Sequence, residues 1–393
     1  MPMSGADNKN TVFVCGAGRN GTYLIRAILD NHPEIMSLPI SFQYHLEWRR
    51  TGLTGNEPIN EIIRKLFEET DFARLKGNDF IDPHTGRKHD YSNFHWDLFI
   101  RSFKAYAAAT GTSRRGCMLA LYHAAQIAVG NKPDAAALIL GDGVYEDMSD
   151  DILADFPNAR FIYAIRDPRS NVLSLKAYNL IQRGCLVERG AKGFRNRSMV
   201  MTILNGMQTN LNAVLRLGQR ADASRTLHIV RYEDLTNQPD ATVSHLIAWL
   251  GIRDHDTLRA LTMNGRPFEG DSSFDLTGLD AIRSVATDQW HGRMPLHERV
   301  AVEYLLYGGL ERYGYRPSCV RKTAAWTLLS VLCCLLPWRG EILYLGRRHH
   351  DNKVGFIKRI ARRYYYLLLT LPSYFATRAL LLADIGRGLY PVR

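Results

Sequence analysis

A glycine-rich turn between a strand and a helix, at residues 16–22, is the feature that most constrains the fold. The apolar, β-branched run at 12–15 predicts a buried strand, and apolar residues recur at helical spacing through 24–29. Glycines let backbone N–H groups close around an anion, and a helix N-terminus adds about half a positive charge. This stretch therefore predicts an α/β protein with a loop that binds a nucleotide phosphate.

The loop departs from two common phosphate-binding motifs. Gly16 and Gly21 have the glycine spacing of a Walker A loop, but Thr22 and Tyr23 stand where its Lys and hydroxyl residue belong. Gly16, Gly18 and Gly21 also match G-x-G-x-x-G. However, the segment about 20 residues further on, MSLPISFQYH, offers no carboxylate for a ribose. An ATPase and a dinucleotide-dependent enzyme are both disfavoured.

Four segments, in order along the chain, resemble the motifs of sulfotransferases that use 3'-phosphoadenosine 5'-phosphosulfate (PAPS). RNGTY at 19–23 resembles the 5'-phosphosulfate loop [RK]-S-G-T-T, in the Arg form typical of carbohydrate and protein sulfotransferases. A strand at 161–165 leads into R-D-P, and Ser174 follows Arg166 at the spacing of the family's 3'-phosphate pair. The segments 228–251, with Y-E-D-L, and 287–314, with a Trp and a helix ending in Y-G-Y, complete the resemblance.

The resemblance implies a P-loop-NTPase-like three-layer α/β/α fold with a central parallel sheet. We expect residues 1–319 to form the catalytic domain and 320–393 a basic helical extension. Within the domain, residues 41–115 have helical periodicity at 41–50, 58–76 and 92–110, which predicts a helical cap inserted after the first βα unit. The cap is expected to help recognise an acceptor, and a purely structural scaffold is the alternative.

The resemblance also implies a role for individual residues. Arg19 is the expected catalytic residue, because its charge would stabilise the donor's 5'-phosphate as the sulfuryl group leaves. Arg166 and Ser174 are expected to bind the 3'-phosphate. The predicted donor-binding residues are Arg19, Asn20, Gly21, Thr22, Tyr23, Arg166, Ser174, Tyr232 and Arg283.

This chain departs from the family pattern at several positions. Asn20 and Tyr23 replace two hydroxyl residues of the loop, and Gly143 replaces the Lys of a G-[ED]-K-T-P segment. The family's role for that Lys is therefore unfilled or supplied elsewhere. A basic stretch at 182–197 is either a loop over an anionic acceptor or an ordinary solvated loop.

The base that takes the proton from the acceptor hydroxyl is ambiguous. Relatives with an Arg loop often carry a Glu about 20 residues further on, where this chain has Leu, Pro and Ile at 38–40. His45 is our choice, because imidazole titrates near neutral pH. An ordinary structural histidine is the alternative interpretation, and His95, Asp142 and His291 are rival candidates.

The net charge of +11 is concentrated at the C-terminal end. Residues 320–393 contain 13 Lys and Arg against three acidic residues, and these basic residues alternate with bulky apolar ones. The segments 324–338 and 358–386 predict interfacial helices on an anionic membrane, since the first is too short to span it and Pro372 breaks the second. An amphipathic pair packed on the catalytic domain is the alternative.

Composition points to the cytoplasm. The six cysteines form no C-x-x-C pair, and residues 1–10 have no apolar signal segment. We therefore expect a peripheral protein on the inner face of the cytoplasmic membrane.

The predicted activity is sulfuryl transfer from PAPS to a hydroxyl of a lipid or lipid-linked glycan. We expect no metal, because no His, Cys and Asp cluster has ligand spacing, and no nucleic-acid partner. A P-loop kinase acting on a membrane substrate and a non-catalytic nucleotide-binding membrane scaffold are the alternatives.

Overall fold

The structure of the protein is a computed structural model. It describes residues 10–77, 79–81, 88–133, 136–143, 148–177, 213–268 except 215 and 221, 290–306, 310–311, 313–321, 323–336 and scattered positions from 353 to 372. The strands are β1 (Asn10–Cys15), β2 (Ile35–Met36), β3 (Asp79–Ile81), β4 (Lys88–Asp90), β5 (Leu138–Asp142), β6 (Arg160–Ile165), β7 (Leu227–Arg231), β8 (Thr262–Met263) and β9 (Arg266–Pro267).

The helices connect and cover these strands. They are α1 (Thr22–Leu29), α2 (Tyr44–Thr51), α3 (Ile59–Ile63), α4 (Trp96–Thr110), α5 (Arg114–Ala128), α6 (Ser149–Asp155), α7 (Pro168–Ala177), α8 (Ala223–Thr226), α9 (Tyr232–Asn237), α10 (Pro239–Leu250), α11 (Leu296–Leu305) and α12 (Ala324–Leu335). A π-helical turn at Arg64–Glu68 and 3-10 turns at Asp71–Lys76 and Asp256–Arg259 complete the assigned helical elements.

Five strands form one parallel sheet in the order β2-β5-β1-β6-β7. Because every pairing is parallel, the carboxyl ends of all five strands lie at the same edge of the sheet. β1 is the central strand; β5 and β2 lie on one side of it, and β6 and β7 lie on the other. Open α/β sheets bind ligands at such a carboxyl edge.

The alternating side chains of β1 divide the core into two layers. Val12 and Val14 pack with apolar residues of α1 and α10, whereas Phe13 and Cys15 face a second cluster formed with α2, α4 and α5. A sheet between two helical layers confirms the predicted three-layer α/β fold.

The inserted segment between β2 and β5 shares that second cluster. Its aromatic side chains, Phe67, Phe72, Phe99 and Phe103, interlock with ring centroids 4.9–6.2 Å apart. The helical periodicity at 58–76 corresponds to three short elements, because α3 passes into the π-helical turn and Thr70 then caps a separate 3-10 turn. The insertion thus forms a structural layer on the sheet, and its role toward an acceptor stays a prediction.

The C-terminal region contacts the rest of the protein through α12 and also through Tyr364, which packs on the same apolar cluster as the helix. Cys333 and Cys334 on α12 pack with residues of α11 in a third apolar cluster, which also contains Ala17 of the glycine-rich loop. Tyr304 on α11 donates a hydrogen bond from its hydroxyl to Thr327 Oγ1 at 2.6 Å. Among the described residues, no helix is long and apolar enough to cross a bilayer.

Candidate active site

The glycine-rich loop turns tightly between β1 and α1. Gly16 has φ +155°, and a Cβ there would lie 2.8 Å from the carbonyl oxygen of Ala164 on β6. Arg19 and Gly21 both have left-handed backbone, with φ 69° and 97°. Gly21 precedes α1 and no side chain caps this helix end, so the first N–H groups of the helix are available for an anion.

Arg166 lies at the carboxyl end of β6, directly beside this loop. Its Nη1 donates a hydrogen bond to the carbonyl oxygen of Arg19 at 3.0 Å, and its guanidinium carbon lies 4.3 Å from the ring centroid of Tyr232. Burial lowers the pKa of Arg166, as does the nearby charge of Arg19, while Tyr232 and Glu233 act in the opposite direction. Two neighbouring cations at a buried strand end favour an anionic ligand.

Arg19 connects the loop to the other predicted phosphate motif. Its Nε donates a hydrogen bond to Ser174 Oγ at 3.3 Å, although the two residues are 155 positions apart. Ser174 lies on α7 and is buried. The structure therefore brings Arg19, Arg166 and Ser174 together, as the motif spacing predicts.

The Asn that replaces a family Ser in the loop has a structural contact on each side. Asn20 donates from Nδ2 to the carbonyl oxygen of Ala164 at 3.0 Å, and its Oδ1 accepts a hydrogen bond from Asn171. Asn171 also donates to the carbonyl oxygen of Gly18 at 2.8 Å. The side chains of Asn20 and Asn171 therefore hold the loop against β6 and α7.

The remaining predicted donor residues lie around the same loop. Tyr232 covers Gly21, because a Cβ at Gly21 would lie 2.6 Å from the ring. Thr22 is half-buried at the first position of α1, and Tyr23 is 38% exposed. Arg283 and the basic stretch at 182–197 lie outside the described residues.

A second arginine of the R-D-P-R segment, Arg169, is engaged within the protein. It forms ion pairs with Asp167 at 2.6 Å and Glu303 at 2.9 Å, and its guanidinium carbon lies 4.0 Å from the ring centroid of Trp290. Glu303 also accepts hydrogen bonds from the backbone N–H groups of residues 318 and 319. Arg169 therefore fastens α7, α11 and the chain after α11 behind the phosphate motifs.

His45 lies away from the carboxyl edge. It is 1% exposed, its ring packs edge-on against Phe13 and Phe156, and its Nε2 lies 3.1 Å from Asp155 Oδ2. Burial lowers the pKa of His45 despite this carboxylate. A ring enclosed in the core cannot meet an acceptor, so this placement argues against the predicted base role.

The rival candidates differ in position. Asp142 lies at the carboxyl end of β5, but it is buried, forms an ion pair with Arg26 at 2.5 Å and accepts the N–H of Phe42 at 2.7 Å. Asp142 therefore fastens α1 to the chain before α2. His95 is exposed ahead of α4, and His291 is exposed and stacks on Trp290 with centroids 3.6 Å apart.

The Gly at the family's Lys position has a steric cause. Gly143 follows β5, and its N–H donates a hydrogen bond to the carbonyl oxygen of Val14 at 2.8 Å. A Cβ at residue 143 would overlap Sγ of Cys15. The backbone therefore leaves no room here for a lysine unless Cys15 moves.

Sequence reasoning missed two polar residues beside the donor motifs, Glu233 and Tyr315. Glu233 is the acidic residue within Y-E-D-L, and Tyr315 ends the Y-G-Y segment, but neither motif by itself indicates a contact between them. In the structure the Tyr315 hydroxyl donates to Glu233 Oε2 at 2.5 Å.

Comparison with known proteins agrees with this geometry. The family model of the sulfotransferase family matches residues 11–256, more than half of the chain. The chain therefore belongs to the sulfotransferase family, and its enzymatic activity is the transfer of a sulfuryl group. This assignment favours the sulfotransferase prediction over the kinase and scaffold alternatives. A comparison with curated proteins found no match.

Several solved structures are similar at low identity. The sulfotransferase domain from the curacin biosynthetic pathway is 16% identical, with a TM-score of 0.47 over 79% of this chain and 99% of that one. Sulfotransferase STF9 from Mycobacterium avium is 15% identical, with a TM-score of 0.39 over 79% and 77%. Retinol dehydratase in complex with androsterone and inactive cofactor PAP is 12% identical, with a TM-score of 0.36 over 79% and 82%.

Proposed function

We propose that the protein transfers a sulfuryl group from PAPS to a hydroxyl of a lipid or lipid-linked glycan at the surface of a membrane. The observation that carries the donor assignment is the contact between the glycine-rich loop and the Arg166 and Ser174 pair. ATP carries all its phosphates on the 5' oxygen of the ribose and needs one phosphate site. PAPS carries phosphate on both the 3' and the 5' oxygen and needs two.

The residues present fit such a donor. Arg19 and Arg166 bring two guanidinium groups to one strand edge, where an anion would relieve their mutual repulsion. Gly21 has no side chain, so the ring of Tyr232 packs directly on the backbone of the loop, and the left-handed φ of 97° is one that glycine adopts without strain. The described residues contain no group of three or more His, Cys, Asp or Glu arranged to hold a metal ion.

Each residue has a defined task in this mechanism. Bound PAPS supplies the sulfuryl group and departs as adenosine 3',5'-bisphosphate. The N–H groups of residues 21–23, at the start of α1, hold the 5'-phosphate, while Arg166 and Ser174 hold the 3'-phosphate. The N–H of Asn20 instead donates to the carbonyl oxygen of Ala17 at 3.1 Å, which closes the turn of the loop. Arg19 places positive charge where the leaving phosphate gains negative charge, and this electrostatic term accelerates the transfer.

An exposed leucine face on α12 supports the membrane part of the proposal. Ser330, Cys333 and Cys334 are buried toward α11, whereas the opposite side is apolar and open to solvent. The leucine face consists of Leu328, Leu329, Leu332 and Leu336, which are between 42% and 64% exposed. An isolated exposed leucine is ordinary, but three on α12 and a fourth directly after its last residue form a patch that favours an apolar partner.

The charge of the C-terminal region supports an anionic lipid surface as the partner. The region from 320 to 393 carries a net charge of +10, and each basic residue near such a surface contributes about 1 kcal/mol. Further exposed apolar residues, Val354, Ile357, Tyr365 and Leu368, follow along the chain. One side of α12 packs against α11 and the other is exposed, which is compatible with helix packing and with contact to a lipid surface at the same time. We place the protein peripherally, on the cytoplasmic face of the membrane.

A calorimetric titration tests the donor assignment. We expect wild-type protein to bind adenosine 3',5'-bisphosphate in preference to ADP, and Arg166→Ala to weaken the bisphosphate by about 30-fold through loss of a charged hydrogen-bond pair. A preference for ADP, or unchanged binding in the variant, would refute the donor assignment.

Flotation with vesicles tests the membrane assignment. The full chain should bind vesicles with 30 mol% phosphatidylglycerol and not pure phosphatidylcholine vesicles, and Leu328→Ser with Leu332→Ser should weaken binding about tenfold. Leu296→Ser is the matched control, because Leu296 is 61% exposed at the start of α11, outside the leucine face. Equal binding by the double variant and the control would remove the leucine face from the proposal.

A further inference from the structure

We propose that Tyr315 is a positioning residue for the donor's 3'-phosphate, acting through Glu233 on Arg166. This inference rests on the proposed PAPS-dependent function. Tyr315 belongs to the segment after α11, far in sequence from both phosphate motifs.

Glu233 joins this segment to the R-D-P turn. Its Oε1 accepts a hydrogen bond from the N–H of Asp167 at 2.9 Å, and its Oε2 accepts one from the Tyr315 hydroxyl at 2.5 Å. Each carboxylate oxygen therefore has its own donor, and the side chain is fixed at both ends.

Two residues next to Glu233 define where the Arg166 guanidinium lies: Asp167, which is its hydrogen-bond partner, and Tyr232, which precedes it in sequence. Asp167 directly follows Arg166, so the bonded N–H fixes the backbone at the root of the arginine side chain. Tyr232 directly precedes Glu233, and its ring lies under the guanidinium carbon at 4.3 Å. A shift of Glu233 would move both supports at once.

Charge strengthens the same arrangement. Burial raises the pKa of Glu233, while the hydrogen bonds from Tyr315 and Asp167 and the charge of Arg166 lower it. The Tyr315 hydroxyl thus favours the ionised carboxylate, which offsets part of the cost of burying Arg166.

Tyr315 is itself held in place. The guanidinium carbon of Arg231 lies 4.7 Å from its ring centroid, and Arg169 donates from Nη1 to the carbonyl oxygen of Arg316 at 3.1 Å. The hydroxyl therefore reaches Glu233 from a fixed backbone and a fixed ring. Loss of the hydroxyl leaves the backbone contact and the ring in place and removes two hydrogen bonds, one to Glu233 and one between the hydroxyl and Arg231.

Paired titrations with adenosine 3',5'-bisphosphate and AMP test the inference. The dissociation constant for AMP divided by that for the bisphosphate measures what the 3'-phosphate contributes to binding. Tyr315→Phe should reduce this ratio about fivefold, the effect of one hydrogen bond, and leave AMP binding unchanged. Tyr304→Phe is the matched control, since it removes another buried hydroxyl from the same region, one that bonds Thr327 instead of the site. The control should keep the wild-type ratio.

A double variant tests whether the effect passes through Arg166. In an Arg166→Ala background, Tyr315→Phe should have no further effect on the ratio. Equal weakening of both ligands, or an undiminished effect without Arg166, would overturn the positioning role. A wild-type ratio near one would instead refute the donor assignment itself, so the two failures are distinguishable.

Discussion

The carboxyl edge of the sheet and the leucine face of α12 are opposites: the first buries charged side chains, and the second exposes apolar side chains to water. At the edge, charged side chains are buried, and partners offset the cost: Arg169 has Asp167 and Glu303, and Arg166 has an aromatic ring and a carbonyl. On α12, leucine side chains are between 42% and 64% exposed to solvent. The first region pairs its charged groups within the protein, whereas the second leaves apolar surface in water.

This difference separates two kinds of function. Paired buried charges contribute little net stability, but removal of one partner is costly, so they specify geometry. Exposed leucines add nothing to the fold and lower the free energy only when another apolar phase covers them. Substitutions in the first region should therefore affect folding and donor binding, and those in the second should affect association.

Removal of Glu303 should have the largest effect. Glu303→Ala removes one of the two carboxylates that pair with Arg169 and leaves two backbone N–H groups without their acceptor, which we expect to cost about 3–5 kcal/mol of unfolding free energy. Urea denaturation measures it. Glu69→Ala, which breaks an exposed ion pair with Arg64, is the control and should barely change the midpoint. Similar midpoints for both variants would mean that the buried network does not carry stability.

Arg19→Ala should remove most of the transfer rate while the protein stays folded. Loss of one stabilising group for the developing charge typically costs about 10²–10³ in rate. Single-turnover release of adenosine 3',5'-bisphosphate from PAPS, with solubilised membrane lipids as acceptors, measures it. Thermal unfolding of the variant serves as the fold control, and a rate within threefold of wild type would contradict the assignment.

Acid should destabilise the protein through His228. This residue lies on β7, and its ring stacks on that of Trp249 on α10. Burial and the charge of His245 lower the pKa of His228 to about 4. Because the unfolded chain titrates near 6.5, it binds more protons between those values, and stability falls as pH drops through this window. We expect a loss of about 2 kcal/mol at pH 5 relative to pH 7.

Denaturation of His228→Gln at both pH values checks this expectation. The variant should lose less stability than wild type between pH 7 and pH 5, whatever its absolute stability. The same slope in both proteins would assign the acid sensitivity to other groups.

Leu332→Ser should have the smallest effect on folding. The side chain is exposed, so the unfolding free energy should change by no more than about 0.5 kcal/mol. Leu305→Ser, on the buried side of α11, should cost about 3 kcal/mol. A comparable loss at both positions would show that the leucine face is covered within the protein.

The donor motifs were predictable because their geometry is local. A strand, a glycine turn and a helix start place Arg19, and a strand end followed by about two helical turns places Arg166 and Ser174. The base was not predictable in the same way. His45 has suitable chemistry, but its burial depends on Phe13 and Phe156, which meet it only after the sheet forms.

Long-range contacts explain the other differences. The Tyr315 to Glu233 hydrogen bond joins residues 82 positions apart, and neither sequence motif specifies the other. Helical periodicity across 58–76 was correct for burial but did not reveal the break that Thr70 caps. Likewise, the amphipathic spacing of the residues in α12 could not determine which face of the helix would pack against α11.

The contact between Gly143 and Cys15 limits the order in which these two positions can change. A side chain at 143 would meet the sulfur of residue 15, so a lysine could be introduced there only after Cys15 had moved or become smaller. The single replacement meets this overlap directly, whereas a prior change of Cys15 to alanine removes the sulfur and leaves only the contacts of 3.2 and 3.3 Å with Cβ of residue 15 and the carbonyl oxygen of Val14. Relatives with a lysine at the position of Gly143 should therefore carry a small residue at that of Cys15.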